Sequence, residues 1–444
     1  MKWFLCVSLF IFPATQAMSQ QLPVQVPQLV QYSAREHALL NDSSAAGNPF
    51  YYRGTIHYLQ PLYQYLNTGR RDSAGSKDMD DYVGATEALS RHFAFAGDHA
   101  SAANYAIRAY DSMPAAGYLD ARNYIDTMRT VQFRDAREYI LARARNEKVV
   151  MINESHHQPV HRAFTLSMLD EFYKLGFRYL ALEMLNNRPD KSLTEINIRT
   201  GYHAAEPVAA ELLRKARDLG FRLVPYEDTL AHEHTGSGRD AIQAAHLSRI
   251  FRSDPEAKLL VLAGHAHISE KRIGETYIPM AATFRQLTGI DPFTIDQTEL
   301  TEGSNFEYGR YFYELLAQKY KQTEAVIAFR KNMPVSLLEN DLYDVQLIHP
   351  PVKWTHNRPV WLNLGGARKE VPVRPTEKQL FLVQAYYASE ATDKNFNILV
   401  PADQTYITDS DGYYWLFLQP GKYRLVFRDI GYRVLADKEL EVNR

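Results

Sequence analysis

Carboxylates and imidazoles gather at four places in this sequence, each just after a short apolar run. Val149–Ile152 leads into Asn153-Glu154-Ser155-His156-His157, and Tyr179–Leu182 into Glu183. Arg222–Tyr226 leads into Glu227-Asp228, and Leu259–Ala263 into Gly264-His265-Ala266-His267. Crowded into a partly dry cleft, such groups push one another's pKa apart, leaving one base and one acid near neutral pH. One histidine then activates water while a second imidazole stabilises the developing oxyanion. The same atoms also suit a divalent metal that activates water at an open position.

The elements around these residues explain why they would meet. Amphipathic helices are expected over about 159–175, 205–219 and 240–251, alternating with the four apolar runs, and Gly176 and Gly220 supply left-handed C-caps. Strand–helix alternation of this kind builds a mostly parallel sheet with flanking helices, an α/β fold. In such sheets ligands bind outside the carboxyl ends of the strands, where all four clusters fall. Leu175–Glu183 and Leu219–Glu227 echo each other (Leu-Gly-Phe-Arg, a strand, then Glu), which suggests that both glutamates leave their strands in one register.

By residue, His157 is the leading base or ligand, or else a cap on the following helix. Glu154 orients it, shares a metal, or favours that helix through its dipole. Glu183 is the second acid/base group, with Glu227 and His267 as further catalytic candidates. A metal set would draw on His157, Glu183, His265 and His267. His156, Arg239 and Asp240 are supporting residues, Asp240 doubling as a first-turn helix carboxylate. His232-Glu233-His234 has the composition of a metal pair.

The chain has 444 residues with a formal net charge of −2 and 45% hydrophobic residues, so it has ample material for a core and no basic field to attract nucleic acid. Residues 1–17 read as a signal peptide: Lys2, an apolar run from Trp3 to Pro13, then Ala14-Thr15-Gln16-Ala17. Export to the periplasm or the exterior follows, with no transmembrane span, since the run is shorter than the ~20 residues a span needs. The one cysteine is Cys6, so thiol catalysis and thiolate metal sites are excluded from the mature chain. Nucleophile-elbow, P-loop, Rossmann and His-Glu-x-x-His motifs are absent.

Residues 22–145 read as a helical region, 146–365 as an α/β catalytic-like core, and 370–444 as a small β-sandwich with turns at Asp411-Gly412, Pro420-Gly421 and Ile430-Gly431. Asp409 and Asp411 fit a hairpin turn better than a calcium loop. The segment from Tyr406 to Phe427 resembles the carboxypeptidase regulatory-like domain, which implies an accessory module with an envelope or glycan partner. Across 148–300, the succession Asn153-Glu154-x-x-His157, Glu183, Arg239-Asp240 and Gly264-His-Ala-His267 resembles the superfamily of erythromycin esterases, ChaN-like haem-binding lipoproteins and TIKI-type proteases. That resemblance implies a hydrolase cleaving an ester, lactone or amide in a small-molecule or peptide substrate. Its ChaN-like branch implies instead a haem- or iron-binding protein without turnover, for which Tyr308, Tyr311 and Tyr313 are candidate ligands.

Overall fold

A computed structural model of the protein describes residues 51–52, 55–63, 65–66, 79–108, 115–128, 130–186, 193–229, 234–304, 309–337, 341–375 and 381–443. The expected signal peptide, Tyr308, His232 and Glu233 lie outside these residues. Nine strands form the central sheet: β1 (Gln132–Asp135), β2 (Val149–Glu154), β3 (Tyr179–Leu182), β4 (Arg222–Pro225), β5 (Leu259–Gly264), β6 (Phe293–Leu300), β7 (Val326–Arg330), β8 (Met333–Pro334) and β9 (Val345–Ile348). The spatial order is β8-β7-β9-β6-β2-β5-β3-β4, with β1 on β7. From β9 to β4 every pairing is parallel; β7 joins β9, β8 and β1 antiparallel.

Strands β2 (as far as Ile152), β3 and β5 read as unbroken apolar runs because both faces are covered. Val150, Ile152, Leu180, Leu182, Leu260 and Leu262 face one apolar cluster, beneath helices α4 (Ala136–Ala144), α6 (Leu169–Lys174) and α7 (Pro207–Leu219). Their neighbours Val149, Met151, Tyr179, Ala181, Leu259, Val261 and Ala263 face a second, beneath α8 (Ser237–Ser253) and α9 (Met280–Thr288). The period-two alternation of a strand divides them. Each fully buried Val, Leu, Ile or Met among them contributes about 1.5–3 kcal/mol.

Helix ends follow local chemistry. At α7 the Glu206 carboxylate accepts from the Val208 and Ala209 N–H groups at 2.8 Å, Pro207 opens the helix, and Gly220 closes it in the left-handed conformation. The helix expected over 159–175 is two pieces, α5 (Pro159–Ser167) and α6, divided at Met168. Ahead of the core, α1 (Met79–Phe95), α2 (His99–Arg108) and α3 (Ala115–Thr127) are helical as expected. Residues 132–135 are not: they add β1 to the central sheet, because their backbone pairs with the exposed side of β7.

Past the core, two separate antiparallel sheets form. One pairs β10 (Lys369–Val373) with β13 (Tyr414–Leu418). The other has the order β12 (Asp403–Thr405), β11 (Leu382–Tyr387), β14 (Gly421–Arg428), β15 (Val434–Val442). Val373, Leu416, Val383 and Phe427 place both sheets around one apolar cluster. Asp409 sits in the turn before β13, taking the Tyr413 carbonyl with its N–H at 2.8 Å. Buried Arg214 and Arg368 tie α7 to this region through Glu211 and Glu390. No helix among the described residues is long and apolar enough to cross a membrane.

Candidate functional site

Strands β2, β3, β4 and β5 end on one side of the sheet, and a cavity of about 390 Å³ opens there. Its lining is His156, Glu183, Tyr202, His203, Glu227, Arg239, Gly264, His265 and His267. Glu154 and Asp240 stand directly behind this lining, each holding a histidine.

The first such pair grows from the end of β2. Glu154 is the last strand residue and is almost wholly buried. Arg162, fully buried on α5, grips it with Nη2 at 2.6 Å and Nε at 2.9 Å, and reaches Glu206 at 3.4 Å. Burial pushes the Glu154 carboxyl up; the Arg162 charge and then His156 outweigh this and lower it, so Glu154 stays ionised. Its Oε1 accepts from His156 Nδ1 at 3.1 Å. His156 is one of the cavity's lining residues, with its Nε2 beside Gly264. His203 lies nearly parallel to the His156 ring at 4.0 Å, and His265 meets it edge-on at 5.9 Å.

The second pair grows from β5. After Gly264 the chain enters a single 3-10 turn, His265–Ile268, with His265 at φ +36°. That turn presents His267 to Asp240, fully buried in the first turn of α8. His267 Nδ1 donates to the Asp240 carboxylate at 2.9 and 3.0 Å. Asp240 also accepts from Tyr277 Oη (2.9 Å) and the Met280 N–H (2.8 Å), which fixes its orientation. Burial works against charge on His267, but the Asp240 hydrogen bond and the Glu183 charge raise its pKa.

Glu183 stands between the two pairs. Its Oε1 accepts from Arg239 at 2.6 Å, its Oε2 from the Gly264 N–H at 2.5 Å, and His267 Nε2 is 3.7 Å from Oε1. Burial favours the neutral acid, yet His267, His156 and Arg239 together bring the pKa down to about 2. Arg239 also bonds both oxygens of Glu227, and its Nη1 lies 3.3 Å from His267 Nε2. The echo between Glu183 and Glu227 thus ends in one shared arginine. The register is shifted, however: Leu182 pairs with Pro225, so Glu183 continues opposite Tyr226 rather than Glu227.

Gly264 is forced by close approach. A Cβ there would lie 2.8 Å from His156 Nε2 and 3.1 Å from Glu183 Oε2.

His157, the leading base by sequence, does not line this cavity. It lines a smaller one of about 50 Å³ with His99, Trp354 and Trp361, and burial holds its pKa down to about 3. Residues 155–158 form a turn, so strand alternation no longer decides which side chain faces the rim, and His156 takes the place expected of His157. Tyr202 and His203 were not foreseen. They belong to the short turn before α7, where no strand ends; the one legible signal is Glu206-Pro207, a helix start that brings the preceding residues to the rim.

The expected metal set does not assemble. Among the described residues no three His, Cys, Asp or Glu side chains stand where they could hold one metal ion. Of the expected set, His157 lines the separate smaller pocket, and the Arg239 guanidinium lies between Glu183 and His267. His234 pairs with Asp228 at 2.7 Å instead. For haem, Tyr313 is packed with Phe312, Leu316, Ala121 and Ile125 in an apolar cluster and is not among the cavity's lining residues. Tyr308 and the side chain of Tyr311 are outside the described residues.

No protein-family model matches the chain, and no curated protein matches it. Solved structures with some likeness include the type III effector HopBA1, at 13% identity and TM-score 0.29, over 38% of this chain and 88% of that one. RRSP, a MARTX toxin effector domain from Vibrio vulnificus CMCP6, is 14% identical with TM-score 0.28, over 61% of each chain. The C-terminal region of Pasteurella multocida toxin, described as having a thiol-protease-like catalytic triad, is 11% identical with TM-score 0.30, over 61% of this chain and 42% of that one. This chain thus spans less than two thirds of the latter two. Likenesses at this level carry no argument about activity.

Proposed function

We propose that the protein is an exported hydrolase that cleaves an ester, lactone or amide by acid/base activation of water at this cleft. One observation carries the proposal: two histidines, each held by a buried carboxylate at Nδ1, flank an ionised glutamate and an arginine around a single cavity. A carboxylate at Nδ1 fixes the tautomer and leaves the other nitrogen for proton transfer. The motif order that resembles the erythromycin esterases supports the same reaction class.

In this scheme His156 Nε2 takes a proton from water as the hydroxide oxygen adds to the substrate carbonyl carbon. Charge develops on the carbonyl oxygen, and Arg239 with protonated His267 faces it. The tetrahedral centre collapses, the carbon–oxygen or carbon–nitrogen bond breaks, and His267 gives its proton to the leaving group. Glu183 stays ionised and stabilises the imidazolium on either side. Proton exchange with solvent then restores both histidines. The two small C-terminal sheets serve as an accessory module toward an envelope or glycan partner, and residues 1–17 direct export to the periplasm or exterior.

The test is turnover of an ester, lactone and amide panel by the wild type and by Asp240→Asn. Asparagine at 240 offers His267 a donor in place of an acceptor and reverses its tautomer, so kcat falls by roughly 10³ or more. Equal turnover in both proteins overturns the proposal.

A further inference from the structure

A densely bonded polar group beneath the cleft belongs to Asn153, which no step of the proposed reaction uses. It is fully buried, one residue before the end of β2. Its Nδ2 donates to the His265 carbonyl at 3.1 Å and to Asp296 Oδ1 at 2.8 Å, with Thr298 Oγ1 3.3 Å away. Its Oδ1 accepts the Gln297 N–H at 2.8 Å, and its own carbonyl accepts from Gln297 Nε2 at 2.7 Å. One side chain therefore joins the ends of three parallel strands, β2, β5 and β6.

The contact with His265 is the informative one. His265 has φ +36° and is not glycine, a conformation that is strained for an L-residue. A residue stays there only when its surroundings over-determine it. The parallel register sets Asn153 opposite Ala263 and Glu154 opposite Gly264, so the Asn153 amide stands beside the turn that follows. That turn carries His267, two residues on, to Asp240. Relaxing His265 to negative φ would swing the chain after Gly264 and move the His267 ring.

We propose that Asn153 is a positioning residue: by holding the His265 carbonyl it keeps the left-handed turn after β5 and delivers His267 Nδ1 to Asp240. Its relevance to catalysis rests on the hydrolase function proposed above, whereas its effect on His267 does not. Only a carboxamide suits the place. Aspartate lacks the donors and would set a second carboxylate against Asp296, while alanine offers the His265 carbonyl no donor and the Gln297 N–H no acceptor. Around His267 the charged or titratable groups are Asp240 and Arg239 from α8, Glu183 after β3, His265 on its own turn, and Tyr277.

Imidazole nitrogen–proton NMR on the full-length protein reads this directly. The wild type should show a downfield Nδ1–H signal for His267, identified by its loss in His267→Gln. In Asn153→Ala that signal should vanish while the rest of the amide spectrum stays dispersed. Asn153→Ser, which keeps a small polar group in the space, should lose it too and serves if the alanine variant does not fold. Where turnover is measurable, kcat should drop about tenfold with KM unchanged. Persistence of the His267 signal in a folded Asn153 variant overturns the positioning role, as does its absence from the wild type. A lost signal in a protein that turns over nothing upholds the role of Asn153 and overturns the hydrolase function instead.

Discussion

Replacing Glu183 by glutamine tests the electrostatics of the cleft without any knowledge of substrate. The Glu183 carboxyl is nearly enclosed, and its pKa falls from the ordinary 4.5 to about 2 because His267, His156, Arg239 and the Gly264 N–H together outweigh burial. A carboxyl depressed on folding stabilises the native state above its unfolded pKa, and that stabilisation is lost as pH falls through the folded value. The shift corresponds to about 3 kcal/mol in full, lost between roughly pH 4.5 and 2. Between pH 5 and 3.5, below the raised pKa of His267, the loss from this one group is about 1.2 kcal/mol. Urea unfolding of wild type and Glu183→Gln at both pH values should show the stability gap narrowing by that amount, with the denaturant slope unchanged. Carboxyls remote from the cleft contribute equally to both proteins and cancel. A gap that stays constant from pH 5 to 3.5 refutes an ionised Glu183 held by its neighbours.

Three further outcomes follow from the same geometry. Arg162→Ala leaves Glu154 and Glu206 buried without their shared cation, and should lower stability by about 3–5 kcal/mol in urea unfolding; a loss below about 1 kcal/mol would show that the pair is not shielded from water. Gly264→Ala forces a methyl against His156 and Glu183, so hydrolysis should fall at least tenfold; φ −74° suits alanine, but displacing the two held side chains should cost about 1–3 kcal/mol in thermal unfolding. With the Arg239 guanidinium between Glu183 and His267, dialysis against a chelator should leave turnover intact; a loss reversed by a divalent ion would contradict this.

Much of this arrangement was legible in the sequence, for reasons that also mark where legibility stops. All four apolar runs became parallel strands; in β2, β3 and β5 continuous burial on both faces leaves a pattern that length and glycine caps can bound, while β4, at the sheet edge, is only partly buried. Their order was not readable: β5 lies between β2 and β3, a choice made by packing across the sheet. Glu183, Glu227, Arg239, His265 and His267 reached the rim because strand ends and one helix start carry them there. His156 and His157 exchanged roles because a turn has no alternation to read. Arg162 escaped notice altogether, since in sequence a buried arginine on a helix looks like any solvated one; only the fold reveals that it holds both Glu154 and the cap of α7.

The central claim is that His156, held by Glu154, does the proton transfer at this cleft. The direct measurement is hydrolysis of an ester, lactone and amide panel by wild type, His156→Ala and His157→Ala, with melting curves to confirm that each is folded. Acid/base hydrolysis at the 390 Å³ cavity predicts that His156→Ala loses kcat by about 10²–10⁴ while His157→Ala, in the neighbouring pocket, keeps most of it. The reverse order, or no effect from His156→Ala in an active protein, would contradict it.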